Sequence, residues 1–154
     1  GCRVTGVSRS GNADPAVFST VYTPANLPAV ARTADWLILT LPLTPETRGL
    51  ISRDVLRACR GCVVMNAGRG AVIDESAIPE ALSNGWISGA ALDVFEVEPL
   101  PATSPLWDEP RVMISPHVSG LTTSEGAANG FLECLAAFER WETPLCVVDR
   151  DRGY

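Results

Sequence analysis

The chain has 154 residues, of which 46% are hydrophobic, 19% charged and 6% aromatic, the profile of one globular domain or most of one. Twelve basic against 18 acidic residues give a formal net charge of -6, which argues against nucleic acid or an anionic membrane as the main partner but leaves room for a local basic pocket. Every basic residue is arginine, so lysine Schiff-base chemistry and a P-loop lysine are excluded. No apolar run approaches the roughly 18 residues of a membrane span, and no signal-peptide pattern opens the sequence.

Arg3 to Ser8 reads as a short buried strand, and Val17 to Tyr22 as a weaker extended piece after a Pro/Gly-containing stretch. Asn26 to Ala34 predicts a short helix, and Trp36 to Leu41 a continuous apolar strand stopped by Pro42. After a polar loop, Ser52 can cap a second helix. Cys62 to Asn66 follows as another strand and leads at once into the turn Gly68-Arg69-Gly70. Asp74 is expected to cap a helix reaching Asn84, closed by Gly85. Ser88 to Val94 and Val112 to Ser115 are strands separated by a proline-rich loop. A helical pattern from Ser124 to Trp141 puts Phe131, Leu135 and Phe138 on one face.

The cysteines are Cys2, Cys59, Cys62, Cys134 and Cys146, an odd and scattered set that does not read as a disulfide framework. Cys59 and Cys62 form a C-x-x-C without a second pair, and His117 is the only histidine, so a zinc site is not expected. The motif closes a helix rather than opening one, unlike redox motifs whose thiol pKa is lowered at a helix N-terminus. Half-buried cysteines at a turn, in a reducing cytoplasmic compartment, are the expectation.

Short apolar strands alternating with helices make an α/β fold with a parallel sheet covered on both faces. Ligands of such sheets sit beyond the carboxyl ends of the strands. Arg9, Leu41-Pro42, Arg69, Asp93 and His117 each fall at or just past the end of a different predicted strand, and so on one rim.

Three ordered motifs, Asn66-Ala67-Gly68-Arg69-Gly70, Ala91 to Pro99 and Ser115-Pro116-His117-Val118-Ser119-Gly120, resemble those of the D-isomer-specific 2-hydroxyacid dehydrogenases. The glyoxylate/hydroxypyruvate reductase A branch is the nearest likeness, which the ending Val148 to Tyr154 also supports. The resemblance covers essentially the whole chain. It implies that Arg69, Glu98 and His117 are the catalytic trio of an NAD(P)-dependent enzyme acting on a small 2-keto acid.

Each role has a physical basis. An arginine fork can grip the substrate carboxylate and polarise the neighbouring carbonyl, and the glycines flanking Arg69 let the backbone turn tightly. The plainer alternative is a surface loop arginine. His117 alone has an ordinary pKa suited to proton exchange near neutrality. Glu98 would pair with the imidazolium, raise its pKa and fix its tautomer. Charge does not separate Glu98 from Glu96; only the Glu-Pro match favours Glu98.

The cofactor expectation rests on the strand ends. An acid closing the second strand of the complete sheet reads the free ribose hydroxyls of NAD, whereas an arginine accepts the phosphate of NADP. Here that strand closes as Ser8-Arg9-Ser10 with no carboxylate until Asp14, so NADP(H) is preferred and NAD(H) possible. The resemblance implies that Leu41, Pro42 and Thr47 line the adenine and pyrophosphate side. It puts Ala67, Gly68 and Asp93 at the nicotinamide half, with Arg69, His117 and Gly120 also in contact with cofactor.

The sequence departs from the family in having no G-x-G-x-x-G: Ile73 stands where the last glycine would follow Gly68-Arg69-Gly70. In the family that loop precedes the strand with which this chain begins. The expectation is therefore an incomplete Rossmann-like fold without its first strand, first helix and most of the substrate domain, inactive by itself. Residues 1–120 would be the partial nucleotide-binding domain, and residues 121–154 a long helix and segment returning to the substrate domain. The family implies a homodimer. Reductases of glyoxylate or hydroxypyruvate, D-lactate or phosphoglycerate dehydrogenases, and non-catalytic dinucleotide-sensing corepressors remain as readings of the same motifs.

Overall fold

Parallel strands dominate, as the alternating apolar pattern requires. The computed structural model describes residues 1–144 and 147–151; Cys146 and the end of the C-terminal motif, Arg152-Gly153-Tyr154, lie outside the described residues. Two compact units are formed, Gly1–Pro116 and His117–Tyr154.

In the first unit, β1 (Thr5–Val7) pairs in parallel with β2 (Thr20–Tyr22). A second sheet has the order β3 (Trp36–Leu39), β4 (Cys62–Asn66), β5 (Ile87–Leu92), β6 (Val112–Ile114), all parallel. Between the strands lie α1 (Leu27–Ala31), α2 (Arg53–Ala58) and α3 (Ile78–Ser83). Leu27 and Ala31 of α1, Val55 and Leu56 of α2 and Ile78, Ala81 and Leu82 of α3 join Leu37, Val64 and Ile87 in one core. Fully buried side chains such as Leu56 and Ile78 each contribute about 1.5–3 kcal/mol through burial. The fold is α/β with a parallel sheet.

Local chemistry explains where the elements differ from expectation. Val17 and Phe18 are not extended, because the Asp14 carboxylate accepts from the Ala16 N–H at 2.8 Å and turns the chain. The first helix is split into a 3-10 turn, Pro24–Asn26, and the short α1. Asp74 does not cap a helix: its carboxylate takes the Ser76 hydroxyl at 2.6 Å, and a 3-10 turn, Glu75–Ala77, precedes α3. Ser52 does cap α2, accepting from the Val55 N–H at 3.4 Å. Strand β3 stops at Leu39, short of Leu41, and is covered on one face only: Leu37 and Leu39 are buried, whereas Trp36 and Ile38 are each 58% exposed. Cys59 and Cys62 are buried in the core rather than half-buried.

The second unit contains α4 (Ser124–Glu139), capped by the Thr123 hydroxyl, which accepts from the Gly126 N–H at 3.0 Å. Phe131 and Phe138 on α4 are 67% and 69% exposed, so its apolar stripe is not covered by the described residues. No helix among them is long and apolar enough to cross a membrane.

Candidate functional site

The carboxyl ends of β3, β4, β5 and β6 lie along one edge of the sheet because all four strands are parallel. The loops leaving those ends are joined by two close backbone contacts, each made possible by a glycine. A Cβ on Gly68 would stand 2.7 Å from the Leu41 carbonyl oxygen, so the loop after β4 lies directly on the loop after β3. A Cβ on Gly70 would fall 1.8 Å from the Phe95 carbonyl carbon and 2.4 Å from the Glu96 nitrogen, so the same loop presses on the one after β5. Arg69 is held between these contacts.

Its backbone is extended, and its guanidinium donates from Nη1 to the Gly68 carbonyl at 2.8 Å while the residue remains exposed. Asn66, at the end of β4, has a fully buried amide that bridges the turn. Its Oδ1 accepts from the Gly68 N–H and its Nδ2 donates to the Arg69 carbonyl, both at 3.1 Å. Ala67 is tied to β3 through its N–H on the Leu39 carbonyl at 3.0 Å.

Asp93 follows β5, and its N–H donates to the Asn66 carbonyl at 3.0 Å. Its carboxylate is buried and accepts a short hydrogen bond from the Ser115 hydroxyl, just past β6. Glu98 folds back so that Oε1 accepts from the Phe95 N–H at 2.9 Å, next to the Gly70 contact. Glu96 is engaged differently. Its N–H donates to Glu75 Oε2 at 3.1 Å, and its carboxylate lies 3.8 Å from the Arg48 guanidinium. The two glutamates, indistinguishable by charge, thus occupy distinct surroundings.

The loop after β3 is stiffened by hydroxyls. Thr47 donates to the Pro42 carbonyl and accepts from the Thr44 N–H, both at 2.7 Å. Bonding to the Thr44 side chain, then to its own backbone, holds the Glu46 carboxyl below its usual range; burial opposes this, and the charge of Arg9 adds to the lowering.

At the end of β1, Ser8 pairs through its N–H with the Tyr22 carbonyl at 3.0 Å, and its hydroxyl donates to the Asn12 carbonyl at 2.9 Å. The Ser10 hydroxyl accepts from the Asn12 N–H at 3.3 Å, and Arg9 between the two serines is exposed. The Arg9 guanidinium and the Ser10 hydroxyl, which only accepts from Asn12, are donors that fit a phosphate monoester such as that of NADPH, with Asp14 occupied by its own turn and the Ser8 hydroxyl spent on the Asn12 carbonyl. A separate cavity of about 240 Å³, lined by Arg3, Thr20, Tyr22 and Asn26 among others, shares no residue with the strand-end loops.

His117 and Gly120 belong to the second unit. His117 is exposed, two residues beyond Ser115, and has a left-handed backbone with φ of 54°. The structure therefore unites Leu41, Pro42, Thr47, Ala67, Gly68, Arg69, Asp93 and Glu98 within the first unit, while His117 and Gly120 open the second. Among the described residues no group of three His, Cys, Asp or Glu could hold a metal ion. Sequence reasoning missed the work of Asn66 and Ser115. An amide closing the otherwise apolar run Cys62 to Met65 was the available signal for the first.

The family profile described as "D-isomer specific 2-hydroxyacid dehydrogenase, NAD binding domain" matches residues 1–119. A D-isomer specific 2-hydroxyacid dehydrogenase from Xanthobacter autotrophicus Py2, solved in complex with NADPH and MES, is 39% identical with a TM-score of 0.88, over 98% of this chain and 62% of that one. An NADPH-dependent glyoxylate/hydroxypyruvate reductase from Sinorhizobium meliloti, solved with NADP and sulfate, is 37% identical with a TM-score of 0.87, over 100% of this chain and 50% of that one. A phosphoglycerate dehydrogenase from Lactobacillus plantarum is 34% identical with a TM-score of 0.74, over 93% of this chain and 47% of that one. The chain thus spans from about half to 62% of the length of these solved relatives.

Proposed function

Because the chain belongs to the D-isomer specific 2-hydroxyacid dehydrogenase family, we propose that it is the cofactor-binding part of an NADPH-dependent reductase of small 2-keto acids of the glyoxylate or hydroxypyruvate type. The observation that supports this most is the pinning of Arg69 between the loops after β3 and β5, beside the Glu98 loop, at the ligand-binding edge of the sheet. The likeness to a reductase of that substrate class, in complex with NADP, points the same way.

In this reading Arg69 binds the substrate carboxylate through a bidentate fork and polarises the adjacent carbonyl. His117 donates the proton to the forming alkoxide, and Glu98 is assigned the carboxylate that stabilises the imidazolium before transfer and fixes the tautomer of the neutral ring after it. Arg9 and Ser10, beside Ser8, receive the ribose phosphate; Leu41, Pro42 and Thr47 line the adenine and pyrophosphate side. Ala67, Gly68, Asp93 and Gly120 meet the nicotinamide half. Bound NADPH supplies the hydride that reduces the keto carbon. A homodimer in a reducing, cytoplasmic compartment belongs to the same reading, and the free thiols of Cys2, Cys59 and Cys62 are compatible with that compartment.

The test is turnover by the full-length protein. Glyoxylate is expected to consume NADPH faster than NADH; cofactor binding without turnover of any 2-keto acid would sink the reductase reading in favour of a dinucleotide sensor. The phosphoglycerate dehydrogenase likeness favours a second reading, in which phosphohydroxypyruvate is turned over in preference to glyoxylate. Arg9→Asp should reverse the cofactor order, because a carboxylate repels the phosphate and accepts from a ribose hydroxyl. An unchanged NADPH/NADH ratio would remove Arg9 from the phosphate site.

A further inference from the structure

On β4 the side chains of Cys62, Val64 and Asn66 share one face and are all buried, so an amide occupies a place where the strand otherwise supplies apolar groups. Burying an amide is costly unless its donor and acceptor are both bonded. Here both are, and both bonds go to the same turn: Oδ1 to the Gly68 N–H, Nδ2 to the Arg69 carbonyl. The Asn66 carbonyl also receives the Asp93 N–H, joining the turn to the end of β5.

We propose that Asn66 is a positioning residue for the keto acid, acting by fixing the point from which the Arg69 side chain leaves the loop; this rests on Arg69 being the carboxylate-binding residue. Arg69 is flanked on its C-terminal side by Gly70, wedged on Phe95 and Glu96, and its own carbonyl is held by Asn66. A planar amide bonded at both ends removes the remaining freedom of the turn. A guanidinium at the end of a long side chain transmits any displacement of its backbone to the bound carboxylate.

The two amide bonds serve different ends. The bond to Gly68 supports the contact with Leu41, on the cofactor side, whereas the bond to Arg69 supports the substrate side. Asn66→Asp keeps the acceptor for Gly68 and loses the donor to Arg69. Asn66→Ser is too short to reach the Arg69 carbonyl but can still accept from the N–H two residues on. In the full-length protein either variant should raise the KM for glyoxylate about tenfold, with the NADPH Kd, read by fluorescence titration, changed by no more than about twofold. An active wild type whose variants keep the same KM overturns the proposal. Equal losses of glyoxylate and NADPH affinity also overturn it, leaving a structural role alone. A wild type that reduces no 2-keto acid overturns the functional reading and this proposal together.

Discussion

Gly70→Ala should be the most destabilising alanine substitution at any glycine of the first unit. The added methyl would lie 1.8 Å from the Phe95 carbonyl carbon and 2.0 Å from its oxygen, far inside van der Waals contact. Both atoms are main chain, so no side-chain rotation relieves the clash; the loops after β4 and β5 must separate. Overpacking of a well-filled site costs about 1–3 kcal/mol and more where backbone must move, so a loss of about 3 kcal/mol or more is expected in urea unfolding. Gly89→Ala is the comparison. Its Cβ would meet only the Arg111 carbonyl oxygen at 3.2 Å, a gap that a shift of a few tenths of an ångström restores, and its cost should stay within about 1 kcal/mol. Equal costs for the two substitutions would show that the Arg69 and Glu98 loops are not pressed together. Separation of those loops also predicts that any folded Gly70→Ala protein loses keto-acid turnover.

The role of these glycines marks the boundary of what the sequence could reveal. Apolar runs such as Cys62 to Met65 identify strands because burial imposes them, and parallel pairing then sends Leu41, Arg69, Asp93 and Ser115 to one edge. The expected rim thus holds for Leu41, Arg69 and Asp93, whereas Arg9 follows a strand of the separate two-stranded sheet and His117 opens the second unit. Periodicity could not foresee that Asp74 would bond Ser76 rather than a helix N–H, since the two options cost nearly the same locally. Nor could it foresee that Trp36 and Ile38 would be exposed, because an apolar run states a preference for cover without saying which element supplies it. The partition of Glu96 toward Arg48 and Glu75, and of Glu98 toward Phe95, depends on contacts between residues far apart in the chain. No one-dimensional pattern encodes those.

His117→Ala should lower kcat for keto-acid reduction by about 10²–10⁴-fold, the range supplied by a positioned general acid, while NADPH affinity changes little. A backbone observation sharpens the test. His117 holds φ at 54°, where a side chain crowds the following carbonyl and costs about 1–2 kcal/mol; glycine would be free of that cost. Strain kept at one residue is a reason to look for work done by its side chain. His117→Gly should therefore be more stable than His117→Ala by about 1 kcal/mol and equally inactive. The pair separates backbone from chemistry: if the strained geometry alone mattered, glycine and alanine would differ in turnover, and if the imidazole were idle, both would retain it. Activity lost in both, with stability diverging in favour of glycine, is the result that assigns the proton to His117.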